Sequence, residues 1–522
     1  MGHIMIDFKD TYLGLELGST RVKAVLTDGG SNVLAVGEYE WENRLEGGLW
    51  TYSLGDIHAA VKGCYKDLAD KVYEKYGARP DTFGAMGISA MMHGYMAFDK
   101  GGKLLVPFRT WRNTNTARAA GELTELLGFN IPQRWSISHL YQAILDKESH
   151  VCEIAYISTL AVYVHQLLTG VRATGVGDAS GMFPIGSDGK NYDKEYTEKV
   201  EKLFKEHGFE KPLAHLLPQP VQAGEKCGNL TKEGAAFLDE SGMLREGVVF
   251  CPPEGDAGTG MAATNSVRSG TGNVSAGTSV FSMLVLEKPL KGCYPEIDVV
   301  TTPDGKPVAM VHCNNCCGEV DYWVKMFSEF AKMLGSDITK TQLYEILYKK
   351  AVEAAADCGG VTAFNFISDE PVANVYGGRP AYMRESDSKA DIGTFFRAQI
   401  YAALAALKMG NDILSQKEGI SAKLFNGHGG LFKAAGAAQQ FLADGLNTPV
   451  AVSQTAGESG AWGMALLARY AAKGNNISLA DWLDEAVFKG NEVSIKYPEE
   501  DGKAGFEKFM ERYKEMIGKG AE

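Results

Sequence analysis

The sequence predicts two duplicated α/β domains. The chain opens as β-β-β-α-β, and a strand, a tip of Gly, Ser and Thr, and a second strand recur near the start of each half. With 522 residues, 45% of them hydrophobic and 22% charged, both halves can bury a sizeable core. The boundary is expected near residue 250, giving domains 1–250 and 251–522.

The elements follow in order. Tyr12 to Gly18 is an apolar run ending in glycine, and the runs at Val22 to Thr27 and Val33 to Tyr39 make an antiparallel meander with it. Gly55 to Gly77 is helical, with Asp56 as a cap and Ile57, Val61, Cys64, Leu68, Val72 and Tyr76 on one face. Phe83 to Ala90 is another buried strand. The middle is helix-rich, with an apolar segment from Ile154 to Leu168 and a charged one from Tyr192 to His207. Val248 to Cys251 reads as a short strand running through Pro252 and Pro253 into a helix from Ala257 to Ala263. Strands at Asn273 to Gly277 and Val280 to Leu286 open the second half. Helices are expected at Glu319 to Leu334, Gln342 to Ala355, Phe395 to Leu414, Leu431 to Leu446 and Glu458 to Ala472. Strands Lys423 to Asn426 and Val450 to Val452 separate the last of these.

Charge narrows the function. Lys and Arg total 52 against 65 Asp and Glu, a net −13, so a nucleic-acid backbone is repelled. An anionic ligand must instead be held by local N–H groups and helix termini. No apolar run reaches a membrane span, and Met1 to Asp7 lacks a signal-peptide pattern. The nine cysteines are few, odd in number and mostly in apolar segments, as in a reduced cytoplasmic protein. His312-Cys313-Asn-Asn-Cys316-Cys317 has no second closely spaced thiol pair to complete a zinc site and reads as a buried strand-to-helix turn. The 61 glycines exceed the usual share of roughly 7%.

A P-loop, a complete G-x-G-x-x-G and an H-E-x-x-H are all absent. What remains is two small-residue hairpin tips, Gly18-Ser19-Thr20 and Gly277-Thr278-Ser279, a glycine turn at Gly427-His-Gly-Gly430 and the acid Asp256. Small residues let backbone N–H groups approach phosphate oxygens, though either tip alone is also an ordinary tight turn. Asp256 is placed to cap the helix that follows, and equally to take a proton from an acceptor hydroxyl.

Leu15-Glu-Leu-Gly-Ser-Thr20, Met92-His93-Gly94 with Trp111, Gly177-Asp-Ala-Ser-Gly181, Gly255-Asp256, Gly277-Thr-Ser279, Gly427-His-Gly-Gly430 and Glu458-Ser-Gly-Ala-Trp-Gly463 occur in this order. Together they resemble the FGGY family of carbohydrate kinases, most closely the xylulokinases and gluconate kinases, from Leu13 to about Arg469. The resemblance implies two actin-like (ribonuclease H-like) domains of the actin/hexokinase superfamily with an interdomain catalytic cleft. It implies ATP and Mg²⁺ as cofactors, a sugar as the other partner, and a homodimer as a family-level expectation. Gly18, Ser19 and Thr20 would approach the β- and γ-phosphates. Gly277, Thr278 and Ser279 would hold the triphosphate from the other domain, with Gly429, Gly430 and Glu458 beside the adenosine. Met92, His93, Trp111 and Asn113 would touch the sugar, with Asp256 as general base.

The departures are informative. Glu16 stands where the family usually has an Asp that holds Mg²⁺ through water. Arg112-Asn113 follows Trp111 where an acid and then an Arg are usual, and Ser138 to Gln142 replaces a Lys and a Trp. A ketopentose such as xylulose is the expected acceptor. Arg112, His93 and Tyr95 keep a gluconate-like acid as the alternative, and Glu16 and Asn113 keep a weakly active ATP- and sugar-binding sensor as another.

Overall fold

The computed structural model describes residues 6–433, 436–453, 459–474 and 477–520. The chain forms two compact units. The first comprises Met1–Val267, Asp298–Val308 and Glu458–Lys489, and the second Arg268–Ile297, Ala309–Gly457 and Gly490–Glu522. The first crossing therefore falls at Val267/Arg268 rather than near 250. Asp256 consequently belongs to the first unit, because the helix it starts packs on that unit's sheet.

In the first unit, β1 (Thr11–Leu17), β2 (Arg21–Asp28), β3 (Val33–Glu40), β4 (Ala85–Ala90) and β5 (Glu254–Gly255) form one sheet in the order β5-β4-β1-β2-β3. The opening meander is antiparallel, with Leu17 opposite Val22, while β4 and β5 run parallel to β1. Leu17 pairs with Ala90, and Ala90 with Gly255, so three parallel strands end level with one another. The residues that leave those ends are the Gly18 hairpin, Met91 to Gly94, and Asp256. Open α/β sheets place ligands at this carboxyl edge.

The strand faces are sorted by alternation. Leu13, Leu15 and Leu17 join Val22, Ala24 and Leu26 in a core with Ile57, Val61, Leu68 and Val72 of the helix Leu54–Tyr76. That helix starts on a capping box between Ser53 and Asp56 and stops at Gly77 in the left-handed region. Glu16 lies on the opposite face, towards the helix Ser459–Lys473, whose Gly460 meets its carboxylate. The strand expected at Val248 to Cys251 is reduced to isolated bridges, Phe250 to Met86 and Val249 to Asn229. The pairing is instead continued by β5.

The second unit carries β6 (Thr271–Ala276), β7 (Val280–Val285), β8 (Pro307–Cys313), β9 (Leu424–His428), β10 (Val450–Ser453) and β11 (Val493–Lys496). They run in the order β8-β7-β6-β9-β10-β11. Its core is built on the helix Ile392–Gln416, which buries Phe396, Ile400, Tyr401, Leu404 and Leu407 after an Asp391/Thr394 capping box. The helix expected from Leu431 begins at Ala437, preceded by a 3-10 turn at Gly430–Lys433. Cys313 closes β8 and Cys317 opens the helix Cys317–Met333, the strand-to-helix turn the sequence implied. Among the described residues no helix is long and apolar enough to cross a membrane.

Candidate active site

The first unit brings Met92, His93 and Asp256 together at the level strand ends. Asp256 begins the helix Asp256–Ala263. Its Oδ1 accepts the N–H of Met92 at 3.1 Å and that of Ala257 at 3.0 Å. Its Oδ2 has no donor among the described residues, and the residue is exposed. Surrounding protein raises its pKa, and the two N–H groups oppose that rise. One oxygen is thus anchored while the other can accept a proton.

Met92 and His93 are both buried. His93 sits at φ 73°, a strained value for a residue with a Cβ, and its ring lies parallel to Trp135 with centroids 6.3 Å apart. Nδ1 is 3.2 Å from Gly181 O. A Cβ on Gly181 would fall 2.6 Å from that nitrogen, so the chain there must be bare for the ring to fit. Trp111 is half-buried against the first unit's core.

Two expectations change. Asn113, expected to bind a sugar hydroxyl, is buried, and its carboxamide is committed to backbone. Nδ2 donates to Trp50 O at 2.8 Å and Thr110 O at 3.1 Å, and Oδ1 accepts Trp50 N–H at 2.9 Å. No N–H remains for a hydroxyl. Tyr95, grouped with Arg112 and His93 for a carboxylate, is fully buried, with its hydroxyl 2.9 Å from His150 Nε2. Arg112 is exposed, and its guanidinium stacks 3.6 Å from the centroid of the Trp50 ring.

Glu16 is half-buried, and its carboxylate fills the space where a Cβ on Gly460 would stand, 1.8 Å from Oε1. Burial first, then the charge of Asp256, push its pKa up to about 7, while Lys23 pulls it down. Glu458, expected beside the adenosine, lies outside the described residues.

Sequence reasoning missed a buried pair of acids behind Asp256. Glu254 accepts N–H groups from Gly177, Asp178 and Gly255 at 3.2, 3.0 and 3.3 Å. Asp178 accepts from Thr159 Oγ1 at 2.6 Å and Thr174 Oγ1 at 3.2 Å, leaving Oδ1 without a partner. Burial, then the charge of Asp178, push Glu254 to about 8, and burial, with a smaller push from Asp256, takes Asp178 to about 6. The signal available in sequence was Gly175 and Gly177, whose bareness admits the Glu254 carboxylate.

The second unit holds the other hairpin. Gly277 N–H donates to Ser279 O at 2.9 Å, while Cys316 and Cys317 N–H hold Thr278 O and Gly277 O, each at 3.0 Å. β9 lies parallel to β6, with Val274 opposite Gly427 and Ser275 opposite His428. Gly429 and Gly430 therefore leave the sheet beside the hairpin. Gly429 takes φ 101°, and a Cβ there would lie 2.4 Å from Ala276 O, so only glycine fits.

Comparison with known proteins covers both units. The N-terminal domain of the FGGY family of carbohydrate kinases matches residues 11–256, and its C-terminal domain matches residues 272–472. A xylulose kinase of Haemophilus influenzae is 23% identical over 96% of this chain and 98% of its own length. Among solved structures, a ligand-bound xylulose kinase of Lactobacillus acidophilus superposes with a TM-score of 0.78 at 18% identity, covering 98% of each chain. A gluconate kinase of the same organism gives 0.77 at 17% identity, covering 97% of each.

Proposed function

The chain belongs to the FGGY family of carbohydrate kinases, and from that premise we propose that it transfers the γ-phosphoryl of ATP to a hydroxyl of a ketopentose such as xylulose, with Asp256 as general base. It is a phosphotransferase with an alcohol acceptor. The observation that carries the assignment of the base is the division of labour within Asp256, one oxygen fixed by Met92 and Ala257 and the other open. A residue that only capped its helix would not need a second anchor from β4's end. As the acceptor oxygen attacks, its proton passes to Oδ2 and the new P–O bond forms while the bond to ADP breaks.

The hairpin Gly18-Ser19-Thr20 supplies N–H groups to the β- and γ-phosphates, and Gly277-Thr278-Ser279 with Gly429 and Gly430 holds the rest of the nucleotide. Backbone donors serve this purpose in a chain of net charge −13, where no bulk positive field attracts the anion. Met92, His93 and Trp111 line the sugar side. Glu16 fits a divalent cation, since a half-buried carboxylate repelled by Asp256 is a donor that a cation relieves. It would hold Mg²⁺ through water, and the ion would neutralise charge on the transferring group. A net charge of −13 disfavours a nucleic-acid partner, and the nine free thiols support a cytoplasmic setting.

A second reading has its own support. Arg112 is exposed, stacked on Trp50 and without a carboxylate partner among the described residues. A sugar acid such as gluconate would supply that partner. Coupled ADP release with Mg·ATP over ketopentoses, ketohexoses, polyols and aldonic acids separates the two. Turnover of a ketopentose supports the first reading and turnover of an aldonic acid the second. ATP binding with no acceptor turned over would instead favour the sensor reading.

A further inference from the structure

The carbonyls of the first hairpin are all held from behind. Trp41 Nε1 donates to Gly18 O at 2.7 Å, the Tyr52 hydroxyl donates to Ser19 O at 2.5 Å, and Trp41 N–H donates to Thr20 O at 3.2 Å. The Trp41 and Tyr52 rings stack with centroids 4.1 Å apart and both are buried. Peptide N–H and C=O groups point in opposite directions, so fixing three successive carbonyls on one side turns the intervening N–H groups to the other. No acceptor among the described residues takes the Ser19 or Thr20 N–H.

Tyr52 is also tied to the acceptor side. Two residues before it, Trp50 is bound to the loop 110–113 by three backbone contacts: Asn113 Nδ2 to Trp50 O at 2.8 Å, Trp50 N–H to Asn113 Oδ1 at 2.9 Å, and Thr110 N–H to Trp50 O at 3.2 Å. Arg112 lies over the Trp50 ring at 3.6 Å. The segment Trp50-Thr51-Tyr52 is therefore pinned at one end to the loop carrying Trp111 and Arg112, and at the other to Ser19. Burial pushes the Tyr52 phenol to about 12, with Arg112 opposing the rise, so the hydroxyl stays protonated and donating at neutral pH.

We propose that Tyr52 is a positioning residue that aims the Ser19 and Thr20 N–H groups at the transferring phosphoryl, and that Trp50 to Tyr52 is a strut linking this hairpin to the acceptor loop through Asn113. The proposal rests on the reading above, in which the hairpin 18–20 serves ATP phosphates. It also explains why an amide replaces the usual acid after Trp111. A carboxylate cannot donate to Trp50 O and Thr110 O, whereas a carboxamide both donates and accepts.

The test is a double-mutant cycle on sugar-dependent ADP release. Tyr52→Phe keeps the ring stack on Trp41 and removes only the bond to Ser19. It should lower kcat by about 5- to 30-fold, the range expected for a misaimed donor pair, with the KM for sugar unchanged and the melting temperature close to wild type. Asn113→Ala should lower kcat as well, and the double variant should be no slower than about twofold below the slower single variant. Multiplicative losses in the double variant would overturn the strut, and an unchanged kcat in Tyr52→Phe would overturn the positioning role. Asp256→Asn is measured alongside. If it is inactive while Tyr52→Phe keeps full kcat, this inference fails and the kinase reading stands. If Asp256→Asn remains fully active, the underlying reading itself fails.

Discussion

The Met92 amide donates to Asp256 Oδ1 at 3.1 Å, joining the end of one parallel strand to the acid that leaves the next. Because Ala257 N–H takes the same oxygen, the carboxylate cannot rotate freely, and Oδ2 is presented in one direction. Length then matters as much as charge. Asp256→Glu keeps a carboxylate but moves it by one methylene, and is expected to lose about 100-fold in kcat while still binding ATP. Steady-state kinetics with calorimetric ATP titration check this.

The bare backbone at Gly181 predicts a substrate-side defect. Adding a Cβ forces apart Gly181 and the His93 and Met92 side chains, which would stand 2.6 and 2.7 Å away. Gly181→Ala should raise the KM for sugar by about 10-fold, roughly 1.4 kcal/mol of lost binding, and leave the KM for ATP alone. Initial-rate kinetics with each substrate varied in turn decide it.

Gly429 predicts the converse. Its φ of 101° and the 2.4 Å approach of a Cβ to Ala276 O leave no room for a side chain, and the obstruction is backbone that cannot rotate away. Gly429→Ala should weaken ATP binding by about 10-fold or more with the sugar KM unchanged. Titration of each ligand separately shows whether the two effects divide between the units.

Glu254 and Asp178 predict an inverted pH dependence of stability. Folding raises both pKa values, from 4.5 to about 8 and from 3.8 to about 6, so the native chain binds these protons more tightly than the unfolded one. Their stabilisation is complete below the unfolded values and is lost as pH climbs through the folded ones. Thermal melts should shift down by a few degrees between pH 6 and pH 8, and Glu254→Gln should flatten that slope. An equally steep slope in the variant would remove the pair as its source.

Much of this was legible where the signal is local. The strands around Gly18 and Gly277, the helix ending at Gly77 and the Gly429 turn follow from residues a few positions apart, although that helix is capped by Ser53, with the expected cap Asp56 completing the box. The buried pair was not, because Glu254 meets Asp178 only where β5 packs against the turn Val176–Ala179, a segment far from it in sequence. The roles of Asn113 and Tyr95 are not legible in sequence for the same reason. Their polar atoms are consumed by Trp50 and His150, partners that spacing does not reveal. The strand Asp298–Thr301 was not legible because Asp-Val-Val-Thr is too short to set a period, and Pro307–Cys313 because it opens on a proline. The boundary moved because the helix Asp256–Ala263 packs with Ser459–Lys473, a partner about 200 residues away by chain.

The most direct measurement is phosphoryl transfer from γ-labelled ATP to the best acceptor of the panel in a single turnover, comparing wild type with Asp256→Asn. The account predicts labelled sugar phosphate from wild type and a rate at least 100-fold lower in the variant, with both ligands still bound at wild-type affinity. Transfer at the wild-type rate by Asp256→Asn would contradict it.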